Sequence, residues 1–243
     1  MKRGKVFIVG AGPGDPELIT VRGKRLVQMC DVLLYDHLVH PDIVALARRE
    51  CEKVYVGKVS GRHSMPQDEI NRLLVDRARR GKVVVRLKGG DPVIFGRAGE
   101  EMEWLDREGV DYEVVPGVTA ASAAASRVKM PLTHRDHASV VTFITGHRKG
   151  NAPLSLPFDA LAALGGTMAV YMGVATCGEI AASLMDAGMP RDTGVLIAQN
   201  VGLEGERFIF TTLGELPEVV VREGVKPPSL FIMGKIVLTK GRK

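Results

Sequence analysis

The sequence predicts an α/β protein with mixed sheets, built as two α/β domains, residues 1–116 and 117–243, with a cleft between them. Three observations carry that expectation. Short apolar runs alternate with helical patterns through the first half, the grammar of βαβα units and of a largely parallel sheet covered on both faces. A Pro-Gly turn, a run of small residues and a second proline then interrupt the alternation over residues 112–139. Strand-like runs resume at residue 140, some with little room for a helix between them, so antiparallel pairing enters in the second half.

Taken in order, the first half reads as a strand at 5–9, a helix at 20–29, a strand at 32–35, a helix at 41–48 and a strand at 53–56. A helix at 67–80 follows, with Ile70, Leu73, Leu74 and Ala78 on one face and arginines elsewhere, then a strand at 83–87 and a helix at 98–108. The Ala/Ser-rich run 119–127 suits a closely packed helix. The second half gives strands at 140–145, 168–172, 195–198, 207–212 and 229–237, with helices at 177–186 and 213–222.

Composition narrows the function classes. Hydrophobic residues make up 45% and charged residues 25% of the 243, and no apolar run approaches the ~18 residues of a membrane span. The apolar run near the N-terminus is too short for a signal peptide, so a cytoplasmic protein without a membrane partner is expected. Cys30, Cys51 and Cys177 are far apart in sequence and suggest neither a disulfide framework nor a zinc site. The net charge of +5 would suit a polyanion, but the 33 basic residues are scattered and aromatics are only 5%, so nucleic acid is not an expected partner.

Two glycine-rich loops are the main chemical signals. In "VFIVGAGPGDPELIT" Gly10, Gly12 and Gly14 follow a strand, but Asp15 stands where a dinucleotide fingerprint needs its third glycine, and the P-loop lysine is missing. A dinucleotide turn and a tight turn with Pro16 opening a helix are the readings this loop leaves open. In "RLKGGDPVIFGRAGEE" a Gly-Gly turn lets a ligand approach backbone, Asp91 with carbonyls could hold a small cation, and Arg97 could face an anion. His134 and His137 are spaced as metal ligands, but no third ligand is evident and Pro131 points to a loop, so no metal is expected.

The blocks "VGAGPGDPELIT", "YDHLV", "GKVSGRHSMPQDEIN", "RLKGGDPVIFGRAGEE", "VVPGVTAASAAA" and "PLTHRD" together resemble the uroporphyrinogen III C-methyltransferases of the tetrapyrrole methylase superfamily, the class III methyltransferases. The likeness spans about residues 5–240 and is most specific in the first 140. It implies S-adenosylmethionine as methyl donor, S-adenosylhomocysteine as product, and methylation of uroporphyrinogen III at C2 and then C7, through precorrin-1 to precorrin-2. It implies donor contacts at Pro13, Gly89, Gly90, Asp91, Ile94, Thr119, Ala120 and Met172. A further contact falls at Val201, where relatives usually carry "NG" rather than "NV". It suggests Asp36 as proton acceptor and Lys58 as proton donor, with Arg97, Glu100 and Arg135 as an alternative centre beside the substrate; Glu100 with Arg97 is the favoured pair. The eight carboxylates of the substrate give a use for the basic surplus, and a homodimer is implied by likeness alone.

Two other readings stand beside this one. Another methylase of the superfamily could act on a later precorrin or a non-tetrapyrrole substrate, because "AQNVGLEGERFIF" departs from the usual pattern. A nucleotide- or RNA-binding module would need salt-dependent retention on RNA without affinity for adenosylmethionine.

Overall fold

In the computed structural model, which describes residues 4–57, 65–148 and 154–239, the chain divides into two compact units, Met1–Ala120 and Ala121–Lys243. The first unit runs β1 (Lys5–Gly10), α1 (Val21–Met29), β2 (Val32–Tyr35), α2 (Pro41–Ala45), β3 (Glu52–Tyr55), α3 (Gln67–Arg79), β4 (Val83–Lys88), α4 (Ala98–Arg107) and β5 (Tyr112–Val115). Its five strands form one wholly parallel sheet in the order β3-β2-β4-β1-β5. Both faces are covered, so the central strands carry unbroken apolar runs rather than alternating ones. Val9, Leu33, Val85 and Leu87 pack on one face with Leu26 and Val27 of α1 and Ile43 and Val44 of α2. Val6, Ile8, Leu34 and Val84 pack on the other with Ile70, Leu74 and Val75 of α3 and Leu105 of α4.

The helix ends follow their sequence signals. The Thr20 hydroxyl caps α1 by accepting the Gly23 N–H at 3.0 Å, and α3 opens with Asp68 and Glu69 and closes with Arg77 and Arg79, charges that oppose the helix dipole. The third helix face also bears out its periodicity, with Ile70, Leu74 and Ala78 buried.

One consequence of this topology positions the site. Strands β1 and β4 are neighbours, yet α1 after β1 and α4 after β4 lie on opposite faces. The two connections therefore diverge at the carboxyl ends of the strands, the place where open α/β sheets bind ligands.

The second unit contains α5 (Ala120–Arg127) beyond its first residue, β6 (Val141–Thr145), α6 (Phe158–Leu164), β7 (Thr167–Tyr171), α7 (Cys177–Asp186), β8 (Gly194–Gln199), β9 (Arg207–Thr212), α8 (Leu216–Arg222), β10 (Ser229–Met233) and α9 (Lys235–Leu238). Its sheet has the order β6-β7-β10-β8-β9; only β6 and β7 pair in parallel. The core centres on Phe231, Ile180, Leu184 and Ile197.

Four expectations need correction. The segment that reads as the start of a break forms β5, paired with β1 from Val6↔Tyr112 to Val9↔Val115. Helix α6 was not expected at all. The last strand stops at Met233 because Gly234 turns to φ 143 and a short helix follows. The helices expected at 41–48 and 213–222 are shorter, ending at Ala45 and starting at Leu216.

Candidate active site

The loops after β1, β4 and β5 meet backbone to backbone. Gly12 and Gly90 exchange a pair of hydrogen bonds, 3.2 Å from the Gly12 N–H and 2.6 Å from the Gly90 N–H. A Cβ built on Gly10 would lie 2.6 Å from the Gly117 nitrogen, and one on Gly117 would lie 2.3 Å from the Gly90 carbonyl oxygen. No side chain fits at this junction. Gly90 differs: its φ is +69° and its Cβ position has nothing within 4 Å, so its backbone is open to a ligand.

Asp91 locks the arrangement, one carboxylate oxygen accepting the Val93 N–H at 2.9 Å and the other the Gly117 N–H at 3.0 Å. Both oxygens therefore already serve backbone donors, which argues against the cation site that the sequence allowed. Among the described residues no group of three His, Cys, Asp or Glu is arranged to hold a metal. Asp15 is likewise a local cap, accepting the Glu17 N–H at 3.0 Å where Pro16 opens a single 3-10 turn.

Beneath the β4 loop sits a cluster of buried charge. Arg86 and Lys88 share the face of β4 that packs under α3 and α4, and both are almost fully buried, as is Glu101 of α4. One oxygen of Glu101 accepts from Lys88 Nζ at 2.7 Å, Arg86 Nε at 3.1 Å and Gln67 Nε2 at 3.2 Å. The other, Oε2, is buried with no hydrogen-bond partner among the described residues. Burial, reinforced by the Arg86 charge, holds Lys88 below the usual lysine range despite the neighbouring carboxylate. Arg86 also reaches Asp36, at the end of β2, with 3.5 Å between Nη2 and Oδ2.

The favoured pair, Arg97 and Glu100, lies at the start of α4 and is exposed. Arg97 holds Glu100 with two bonds of 2.7 and 2.6 Å, from a left-handed backbone at φ 56°. The Glu100 carboxyl is lowered from its ordinary range chiefly by that hydrogen bond.

The structure thus brings together, within the first unit, the loop residues Pro13, Gly89, Gly90, Asp91 and Ile94, and it sets Asp36 near them at the end of β2, the strand beside β4. Thr119 and Ala120 close that unit, just after Gly117. Lys58 and His63 lie outside the described residues. The second unit carries Arg135, exposed in a loop bridged from His134 to Ala138, together with Met172 and Val201. Met172 is not a core methionine: it is 49% exposed and adopts φ 54° directly after β7. The Val201 side chain is buried. Tyr171, beside Met172, accepts the Ala121 N–H at 3.2 Å and so ties β7 to the first turn of α5. At the ends of β6 and β7, Gly146 and Gly173 make another bare contact, since a Cβ on Gly146 would lie 2.5 Å from the Gly173 Cα.

Sequence reasoning missed Arg86, Lys88 and Glu101. Their signal was spacing: Val84, Arg86 and Lys88 alternate on one strand face, and Ala98, Glu101 and Leu105 follow a helical repeat.

Residues 5–217 match the family of tetrapyrrole (corrin/porphyrin) methylases. A siroheme synthase of Azotobacter vinelandii is 50% identical over 234 residues, covering 96% of this chain and 50% of that protein. One from Chromobacterium violaceum is 47% identical over 236 residues, 97% of this chain and 50% of the relative. The chain spans about half the length of the curated relatives it matches. Among solved structures, the uroporphyrin-III C-methyl transferase of Thermus thermophilus complexed with S-adenyl homocysteine aligns with a TM-score of 0.82 at 41% identity, covering 97% of this chain and 94% of that one. A cobalt precorrin-4 methyltransferase aligns with a TM-score of 0.86 at 33% identity, covering 96% and 95%. The chain belongs to the tetrapyrrole methylases.

Proposed function

We propose that the chain is an S-adenosylmethionine-dependent C-methyltransferase that converts uroporphyrinogen III through precorrin-1 to precorrin-2 by methylation at C2 and C7. The observation that carries this reading is the side-chain-free junction of Gly10, Gly12, Gly90 and Gly117 at the diverging ends of β1 and β4. A folded nucleoside donor needs close approach to backbone, and the open face of Gly90 fits that need. The likeness to the Thermus enzyme, over nearly its whole length, supports the substrate.

The donor supplies a methyl group already electrophilic on its sulfonium, so the protein's work is alignment and proton removal. In this reading the donor contacts are those the resemblance implies, at Pro13, Gly89, Gly90, Asp91, Ile94, Thr119, Ala120, Met172 and Val201. Arg97 and Arg135 take substrate carboxylates. Asp36 serves as the proton acceptor, its Oδ1 fixed by the Leu38 N–H at 3.1 Å and its side chain 21% exposed, with Glu100 beside Arg97 as the alternative. Lys58 remains the proposed donor. The reading also carries a cytoplasmic homodimer, supported by resemblance; among the described residues no helix is long and apolar enough to cross a membrane.

Anaerobic incubation with uroporphyrinogen III and methyl-labelled adenosylmethionine tests it, with two labels per macrocycle expected. An unlabelled macrocycle would end the proposal. The slightly higher TM-score to the cobalt precorrin-4 enzyme favours a later precorrin as the rival substrate. Faster turnover of that precorrin than of uroporphyrinogen would establish the rival.

A further inference from the structure

We propose that Arg86 is a positioning residue: clamped by Glu101, it holds the Asp36 carboxylate in the orientation that accepts the proton. The inference rests on the reading of Asp36 as that acceptor. Each nitrogen group of Arg86 has its own partner. Nε donates to Glu101 at 3.1 Å, Nη1 to the Leu87 carbonyl at 3.1 Å, and Nη2 faces Asp36 Oδ2 at 3.5 Å. The guanidinium side chain is 6% exposed, so no substrate carboxylate can reach it, while Asp36 at 21% is accessible. Arg86 can therefore influence the reaction only through what it touches.

Stability does not explain why such a group is kept. A buried ion pair is matched or bettered by apolar side chains of similar volume. This cluster adds a second buried cation, Lys88, against the same carboxylate, and leaves Glu101 Oε2 without a partner among the described residues. What the arrangement achieves is geometry. With Leu38 N–H on Oδ1 and Arg86 on Oδ2, the carboxylate plane is defined from two sides. Glu101 is fixed in turn by three donors from β4 and α3. Arg97 is the N-cap of α4, so the residue proposed to meet substrate and Glu101, the anchor of the clamp, sit on the same helix.

The test is a set of variants of the full chain, D36N, R86Q, R86K, E101Q and the double variant D36N/R86Q, assayed for kcat, for KM of uroporphyrinogen III and for S-adenosylhomocysteine affinity by calorimetry. General bases contribute ~10²–10⁴-fold, and loss of the clamp in R86Q is expected to lower kcat at least ~10-fold, a part of that range. KM and S-adenosylhomocysteine affinity should stay near wild type, R86K should recover part of the rate, and the double variant should be no slower than D36N. If D36N turns over like wild type, the reading of Asp36 fails and this inference with it. If D36N is slow but R86Q is not, or if the two losses multiply, the inference fails while Asp36 stands. Should R86Q not fold, E101Q decides in its place: its kcat must fall, and that fall must vanish in a D36N background.

Discussion

Replacing Gly117 with alanine would place a methyl carbon 2.3 Å from the Gly90 carbonyl oxygen, 2.9 Å from Gly10 Cα and 3.0 Å from Gly10 C. All three neighbours are backbone atoms of strand-end loops, so no rotamer change relieves the contact. Space must come from parting the loops, which strains the Gly117 N–H bond to Asp91. Overpacking of this kind costs about 1–3 kcal/mol, and weakening one part-buried hydrogen bond adds about 1 kcal/mol. At roughly 2–4 °C per kcal/mol for a chain of this size, G117A should melt ~4–16 °C below wild type. Its affinity for S-adenosylhomocysteine should fall as well, because Gly90 is displaced. Circular dichroism melts and calorimetric titration read both effects. The matched control is Gly178, in the first turn of α7, whose Cβ position has nothing within 4 Å. G178A should gain about 0.5–1 kcal/mol from lower chain entropy. A G117A protein that melts within a degree of wild type and binds undiminished would refute the reasoning.

Other outcomes follow from the charges and thiols. E101A strips Arg86 and Lys88 of their shared carboxylate and should cost about 3–5 kcal/mol in urea unfolding; a loss below ~1 kcal/mol would mean that water already serves these groups. Because the folded-state pKa of Lys88 is lowered, the native state binds fewer protons than the unfolded state between that pKa and the ordinary lysine value of 10.5. Wild type should therefore gain stability relative to K88M as pH rises through that window, and a flat difference would contradict the assignment. E100A should change stability by no more than ~1 kcal/mol, since the pair with Arg97 is exposed and screened. R97A should instead raise KM for the tetrapyrrole. Cys30 and Cys51 are buried with 3.6 Å between their sulfurs, and burial followed by the neighbouring thiol pushes Cys30 far up. Neither should be alkylated by iodoacetamide at pH 8 until the chain unfolds, which peptide mass mapping will show.

Much of the first unit was legible because its strands are buried on both faces. Runs such as Val6–Val9 and Val83–Val85 need no partner pattern to be recognised. Strand β5 was not, because only four residues separate Asp111 from Pro116, and the Pro-Gly turn after it resembles a domain break. Helix α6 hid in a short alanine and leucine segment after Pro157, with Leu161 its buried anchor. At the site, glycines announced the loops but not their mutual contact, which depends on the order β4-β1-β5 across the sheet. Glu100 and Glu101 are identical in type and adjacent, and only the helical phase tells them apart: Glu101 falls in line with Ala98 and Leu105, while Glu100 faces outward to Arg97.

The most direct trial of the whole account is titration of S-adenosylhomocysteine into wild type and G90A, the position in the glycine junction where a methyl group enters space that is otherwise open. An alanine at φ +69° costs only about 1–2 kcal/mol, so the fold should survive. The account predicts saturable one-site binding to wild type and at least ~10-fold weaker binding to G90A. Equal affinity in the two proteins, or no binding to wild type, would contradict it.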